Sequence, residues 1–499
     1  MPSNSYDVIV IGDELPGLVA ATLCARRGMR VLIARTCKRR STYQLGPFTL
    51  PAQALPFVGY SSPAMSRVID ELHFDHPLKR KLLQHTPSYQ LVCPGARLDI
   101  GPDDERLAQE LARELDATEA GMTAAQQAIE ISAYVESVLS QDATFPPSGF
   151  WERREVSRSE AGADDEAAAW FEHAAQSPLM RAFIEAPAVA STRQSPLSLG
   201  PISHARALAQ WRQGAPRLTG DLTTLEELFL DKLANHSGEV REARIAALTF
   251  SWGRVSGVRL DNDEELGAEH VIAAMPVHEL APLAGPKQSK RLTQCVEKTS
   301  IGGYRYTLNL VIGEAGVPAG MAPTVLMVGD LDAPLIGDNA LAIYRGEPDQ
   351  EARVVLTIQA SCPAPESDEP GVLAGTMADL RVRIRERIEE VMPFVSDHIL
   401  LAHSPNEDVP AEGVEGALEL SEPLPPAPLW TSTLESHMGV SAVPYDIGIK
   451  RLTVASTQVL PGLGLEGELA TGWSAAKIAT AAAGKKRELP KDELLAAKR

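Results

Sequence analysis

Two hydrophobic periods alternate along the chain. Four apolar residues run without interruption from Val8 to Ile11, the pattern of a strand buried on both faces. Helical spacing follows from Pro16 to about Arg27. A second apolar run, Val31-Leu32-Ile33-Ala34, comes after Gly28. Gly12 and Gly17 stand in and just beyond the turn between the first run and the helix. Strand, glycine turn, helix and strand within about 30 residues predict the opening βαβ unit of a doubly wound parallel sheet.

The pattern predicts a helix from Ser62 to about Leu72 and a hairpin from Ser88-Tyr89-Gln90-Leu91-Val92-Cys93 to Arg97-Leu98-Asp99-Ile100, turning at Pro94-Gly95. Further helices are expected from about Asp103 to Leu115 and from about Glu119 to Ser140. Residues 152–169, charged and alanine-rich, read as an exposed linker or polar helix. Residues 170–214 read as helices broken by Pro178, Pro187, Pro196 and Pro201. A helix over Leu225–Leu233 precedes a second set of core strands between Gly238 and Ala274. Strand alternation over 303–360 predicts a separate, largely antiparallel sheet. A helix is expected over 374–392, and Pro423 to Pro428 is a stiff crossing segment. The chain then returns to a strand at Leu452–Ala455, a glycine-rich turn at Pro461–Gly467 and a helix from Leu469 to Ala483.

These elements predict an α/β chain. A Rossmann-like FAD/NAD(P)-binding domain is drawn from 1–75, 215–285 and 430–484. An inserted α+β substrate domain with the antiparallel sheet spans 76–214 and 286–429, and 485–499 form a charged tail.

Composition narrows the function. The 499 residues suffice for two or more domains, and 44% hydrophobic with 23% charged content is ordinary for a globular protein. A net charge of −19 argues against nonspecific nucleic-acid binding, and 5% aromatic content leaves few residues for base stacking. Cys24, Cys37, Cys93, Cys295 and Cys362 form no CxxC pair, which fits a reducing compartment. No basic leader opens the chain and no apolar run reaches about 18 residues. A cytoplasmic protein is expected, peripheral at a membrane where an apolar ligand resides. No metal-ligand spacing stands out. Asp103-Asp104-Glu105 reads as a helix-start charge cluster, and His270 and His278 as structural or exposed.

In a glycine turn of this kind the first glycine permits the turn, the second admits a pyrophosphate, and the third lets helix and strand pack closely. Gly12 and Gly17 fill the first and third positions. Glu14 fills the second and sets an anion where a diphosphate would lie. At about 5 Å and an effective dielectric of about 20, each such contact costs roughly 3 kcal/mol. Arg35 stands where an acid would bind a ribose hydroxyl; that lost bond costs on the order of 1.5–3 kcal/mol. Together these weaken a nanomolar site to about 10 μM or beyond. The basic run Thr36-Cys37-Lys38-Arg39-Arg40 reads as a solvated loop, or as a cluster that neutralises Glu14 or holds a phosphate. Arg35 would also suit the 2′-phosphate of NADP, a reading that Glu14 opposes equally.

Four stretches carry a resemblance: VIVIGDELPGLVAA, YQLVCPGARLDIGPDDERLAQEL, GEVREARIAAL with GRVSGVRL and AEHVIAAMP, and VLPGLGLEGELATGWSAA. In order and spacing they resemble the FAD-dependent phytoene desaturases, carotenoid isomerases and amine oxidases over nearly the whole chain. The resemblance implies that Gly12, Glu14, Leu15 and Gly17 line the FAD pyrophosphate, with Arg35 at the ribose. It implies Ile245 at the adenine, and Pro461, Gly462, Gly464 and Gly467 at the isoalloxazine and ribityl end. The chain departs from this family at Glu14, at Arg35, at the missing Gly-Gly-Arg after the second strand, and at Ser456-Thr457 in place of Gly-Asp. Rab GDP-dissociation inhibitors share the architecture without acting as flavoenzymes.

Two functions follow. One is an FAD-dependent oxidoreductase that passes hydride from an apolar, isoprenoid-like substrate to flavin, with no identifiable catalytic side chain. The other is a flavin-free relative that binds an apolar ligand or a partner protein, with Glu14, paired to an arginine from Arg35 to Arg40, plugging the vacated pyrophosphate site.

Overall fold

The computed structural model describes residues 5–35, 41–115, 118–147, 150–365, 367, 371–409 and 422–483. The basic run at 36–40, including Cys37, and the tail at 485–499 lie outside the described residues.

Among the described residues seven strands form the first sheet. In spatial order they are Ile245–Ser251, Arg254–Leu260, Glu265–Ala273, Ser5–Ile11, Val31–Arg35 and Glu239–Glu242, with Leu452–Val454 also on Glu265–Ala273. Ser5–Ile11 pairs in parallel on both sides; Ile11 lies between Ala34 and Ala273. Val8 to Ile11 are wholly buried, as their uninterrupted apolar run requires. The helices Leu15–Arg26 and Gly464–Ala482 pack together over this sheet, so closely at Gly472 that a Cβ there would lie 2.5 Å from Val19 Cβ.

The second sheet has eight strands, ordered Ile399–His403, Thr299–Gly313, Arg353–Pro363, Gly337–Arg345, Thr324–Val328, Tyr89–Cys93 and Ala96–Ile100, with Ala427–Ser432 also on Thr299–Gly313. Its pairings are antiparallel except Thr324–Val328 with Tyr89–Cys93. The two-residue period of Thr299–Gly313 divides its faces. Tyr306, Leu308, Leu310 and Ile312 pack with Met377, Leu380, Ile384 and Ile388 of the helix Val372–Val391. Arg305, Thr307 and Asn309 alternate with them and point to the opposite face.

Residues 152–169 lie within one helix, Phe150–Ala174. The prolines of 170–214 do less breaking than expected. Pro178 and Pro201 open the helices Pro178–Ser191 and Pro201–Gln213, where a missing N–H costs nothing. Pro187 lies inside the first of these; the helix is buried along most of its length, and packing outweighs the lost bond. The expected glycine-rich turn at Pro461–Gly467 is a 3₁₀ turn, Pro461–Leu463, followed by a helix that starts at Gly464, five residues before the expected start at Leu469. Every residue from Pro461 to Gly467 is buried, and that packing imposes a conformation glycine alone does not favour.

Candidate functional site

The turn after Ser5–Ile11 keeps two glycines for packing. Gly12 has φ +110°, and a Cβ there would meet the Ala274 carbonyl oxygen at 2.2 Å. A Cβ on Gly17 would meet Ala274 Cβ at 2.1 Å. Both hold the helix Leu15–Arg26 against the neighbouring strand end. The helix start offers few donors to an anion. Pro16 has no N–H, and the N–H groups of Gly17 and Leu18 donate to the Glu14 carbonyl. The Glu14 N–H donates to the Ala274 carbonyl at 3.2 Å.

Glu14 is 2% exposed. Its carboxylate crosses to the loop after Leu452–Val454, where Thr457 donates its backbone N–H and its hydroxyl, each at 3.0 Å. Trp430 Nε1 donates to the same hydroxyl oxygen at 3.1 Å. Thr457 of the Ser456-Thr457 pair thus supplies both donors to Glu14, so two of the four departures meet in one contact. A partner for Glu14 among 36–40 lies outside the described residues.

The start of the last helix is occupied by its own acids. Glu466, 1% exposed, takes a two-pronged contact from Arg206, Nε at 3.0 Å and Nη2 at 2.6 Å, and a third bond from Gln210 at 2.8 Å. Arg206 also reaches Glu136 at 2.8 Å and Ser132. Glu468 accepts from Arg193 Nε at 2.8 Å. Both carboxylates sit in the first turns, where the helix dipole favours negative charge. The glycines serve close approaches: a Cβ on Gly464 would lie 2.2 Å from the Ser191 carbonyl oxygen, one on Gly467 2.3 Å from that of Leu460, and one on Gly462 2.7 Å from Ser203 Oγ. Pro461 accepts from Arg193 N at 2.8 Å.

Between these two helix starts and the polar face of the second sheet lie two adjoining cavities. The outer measures about 90 Å³ and the inner about 30 Å³. Both are bounded by Gln53, Leu55, Arg193, Arg305 and Glu468. Arg305 is 4% exposed and donates Nη1 to the Val189 carbonyl at 2.8 Å and Nη2 to that of Thr192 at 2.9 Å. Burial, with Arg193 nearby, lowers its pKa to about 10.

Of the remaining residues implied by the resemblance, Leu15 lines the outer cavity. Arg35 ends Val31–Arg35; its Nε is buried and makes no hydrogen bond among the described residues. Ile245 opens its strand two residues after Ala243, whose N–H donates to the Arg35 carbonyl. Sequence reasoning missed Thr457 as the partner of Glu14, and missed Arg193, Arg206, Arg305 and Gln359. The available signal was two acids, Glu466 and Glu468, inside a glycine-rich apolar stretch that turns out to be buried.

No helix among the described residues is long and apolar enough to cross a membrane. No protein-family model and no curated protein matches the sequence. Solved structures do match. A putrescine oxidase double mutant from a cofactor-binding redesign is 14% identical, with TM-score 0.59 over 96% of this chain and 99% of that one. Cyclohexylamine oxidase from Brevibacterium oxydans gives 14%, 0.59, 96% and 99%. Rab GDI from Plasmodium falciparum gives 11%, 0.53, 95% and 98%. The chain therefore has the fold shared by these amine oxidases and Rab GDI, a Rossmann-like domain joined to a second domain built on the largely antiparallel sheet, at low sequence identity.

Proposed function

We propose that this protein is a flavin-free member of the fold that binds a small ligand and does not carry out flavin redox chemistry. The observation that carries the reading is the Glu14 carboxylate, buried and held by both donors of Thr457. The residues present do not fit an FAD. A carboxylate would face the pyrophosphate, the Gly17 and Leu18 N–H groups of the first helix already donate to the Glu14 carbonyl, and Arg206 and Arg193 are committed to Glu466 and Glu468. Cofactor pockets run to roughly 300–1,000 Å³; the cavities here measure about 90 and about 30 Å³. That size also disfavours a long isoprenoid. The matched structures include Rab GDI beside the oxidases.

The test is a spectrum of the purified chain before and after incubation with FAD. The expected result is no bound chromophore near about 450 nm and no shift of the melting temperature. Yellow protein carrying stoichiometric flavin after desalting overturns the reading.

A further inference from the structure

Arg305 is a buried cation without an acid of its own. Its guanidinium is held by two carbonyls at the end of the helix Pro178–Ser191. Those carbonyls, favoured by the helix C-terminal dipole, orient the group and offset part of its desolvation, but they carry no net charge. Among the described residues no carboxylate pairs with it. The inner cavity has one acid in its wall, Glu468, and Arg193 already bonds that acid at 2.8 Å. Two guanidiniums and one carboxylate leave that wall with an excess positive charge.

A second donor faces the same space. Gln359 is 2% exposed and lines the inner cavity, and its Nε2 has no hydrogen-bond partner among the described residues. Sheet register explains the convergence. Gln359 lies opposite Thr307, two positions along the same face from Arg305. A buried amide N–H left without an acceptor is costly, so an oxygen acceptor belongs there. The outer cavity continues from this point along Leu55, Leu222, Leu424 and Pro425. Its two other acids, Asp13 and Glu226, line the outer and not the inner cavity.

We propose that this cavity binds a small monocarboxylate, its head group on Arg305 and Gln359 Nε2 and its apolar end against Leu55, Leu222 and Leu424. A guanidinium fork matches a carboxylate in charge and geometry. The space limits the ligand to on the order of ten non-hydrogen atoms. The proposal rests on the flavin-free reading, since a flavin would compete for this space.

Calorimetric titration of the full chain with hexanoate tests it, with hexanamide and hexylamine as uncharged and cationic counterparts. Hexanoate should bind saturably, hexanamide at least roughly tenfold more weakly, and hexylamine not at all. Arg305→Met should weaken hexanoate binding at least roughly tenfold. Because loss of a buried arginine can unfold the chain, Gln359→Glu is the second variant. Nearly equal in volume, it sets a carboxylate against the head group and should produce a similar loss. Arg353→Ala, at a partly exposed arginine that lines neither cavity, should bind as the parent does. Equal binding of hexanoate and hexanamide, no binding of hexanoate, or unchanged binding by Gln359→Glu each overturns the proposal. Failure here with FAD still rejected sinks only the carboxylate site; stoichiometric flavin binding sinks the reading beneath it as well.

Discussion

Glu14 and Thr457, 443 residues apart, meet through two hydrogen bonds of 3.0 Å each: the carboxylate accepts both the backbone N–H and the hydroxyl of Thr457. The contact ties the first glycine turn to the loop that follows the last strand.

Glu14→Ala should therefore destabilise the chain by about 1.5–3 kcal/mol, because a buried N–H loses a charged acceptor. Thr457→Val should cost about 1–2 kcal/mol, since its N–H remains. The double variant should cost less than the sum, with a coupling of about 1 kcal/mol or more. Urea denaturation of the four proteins measures it, and strict additivity would mean that the pair contributes nothing.

Gly17→Ala should destabilise by about 1–3 kcal/mol through overpacking against Ala274. Gly12→Ala should cost more, because its left-handed backbone and the Ala274 carbonyl both oppose a Cβ. Melting temperatures in the absence of any nucleotide decide the matter. If both variants melt like the parent, these glycines have no packing role.

Glu466 and Arg206 form a buried pair, with side chains 1% and 2% exposed. Glu466→Ala should cost about 3 kcal/mol, since it removes the buried partner of a buried cation and leaves Arg206 only the more exposed Glu136. Glu466→Leu combined with Arg206→Met should recover much of that loss. A double variant no more stable than Glu466→Ala would contradict this account.

His204 and His270 are buried, and burial lowers each from an ordinary 6.5 to about 4. Nδ1 of each ring has no hydrogen-bond partner among the described residues. The folded chain keeps both rings neutral down to about pH 4, while the unfolded chain protonates them near 6.5. Below pH 6.5 the unfolded chain therefore takes up protons that the folded chain does not, and stability falls as pH drops toward 4. Each ring accounts for a loss on the order of 3 kcal/mol across that range. Melting temperature should begin to fall below pH 6.5, before most carboxylates titrate. His204→Leu or His270→Leu should flatten the decline between pH 6.5 and 5; an unchanged slope in both excludes these rings as its source.

Much of the architecture was legible in residue order. Val8 to Ile11 and Val31 to Ala34 announce buried parallel strands, because only a strand covered on both faces lacks a polar alternate. The alternation from Tyr304 to Val311 marked the second sheet. Local propensity misread Pro187 and Pro461–Gly467, where burial within the assembled domain decides conformation.

The sequence by itself determined that a dinucleotide-type framework is present and that an acid, Glu14, stands in its first glycine turn. Both facts are local: one is a matter of period and glycine spacing, the other of identity at one position. Only the tertiary structure decided where that acid goes. Thr457, Trp430, Arg305 and Gln359 come from distant segments, and hydrogen bonding and charge compensation depend on distances that chain order does not encode.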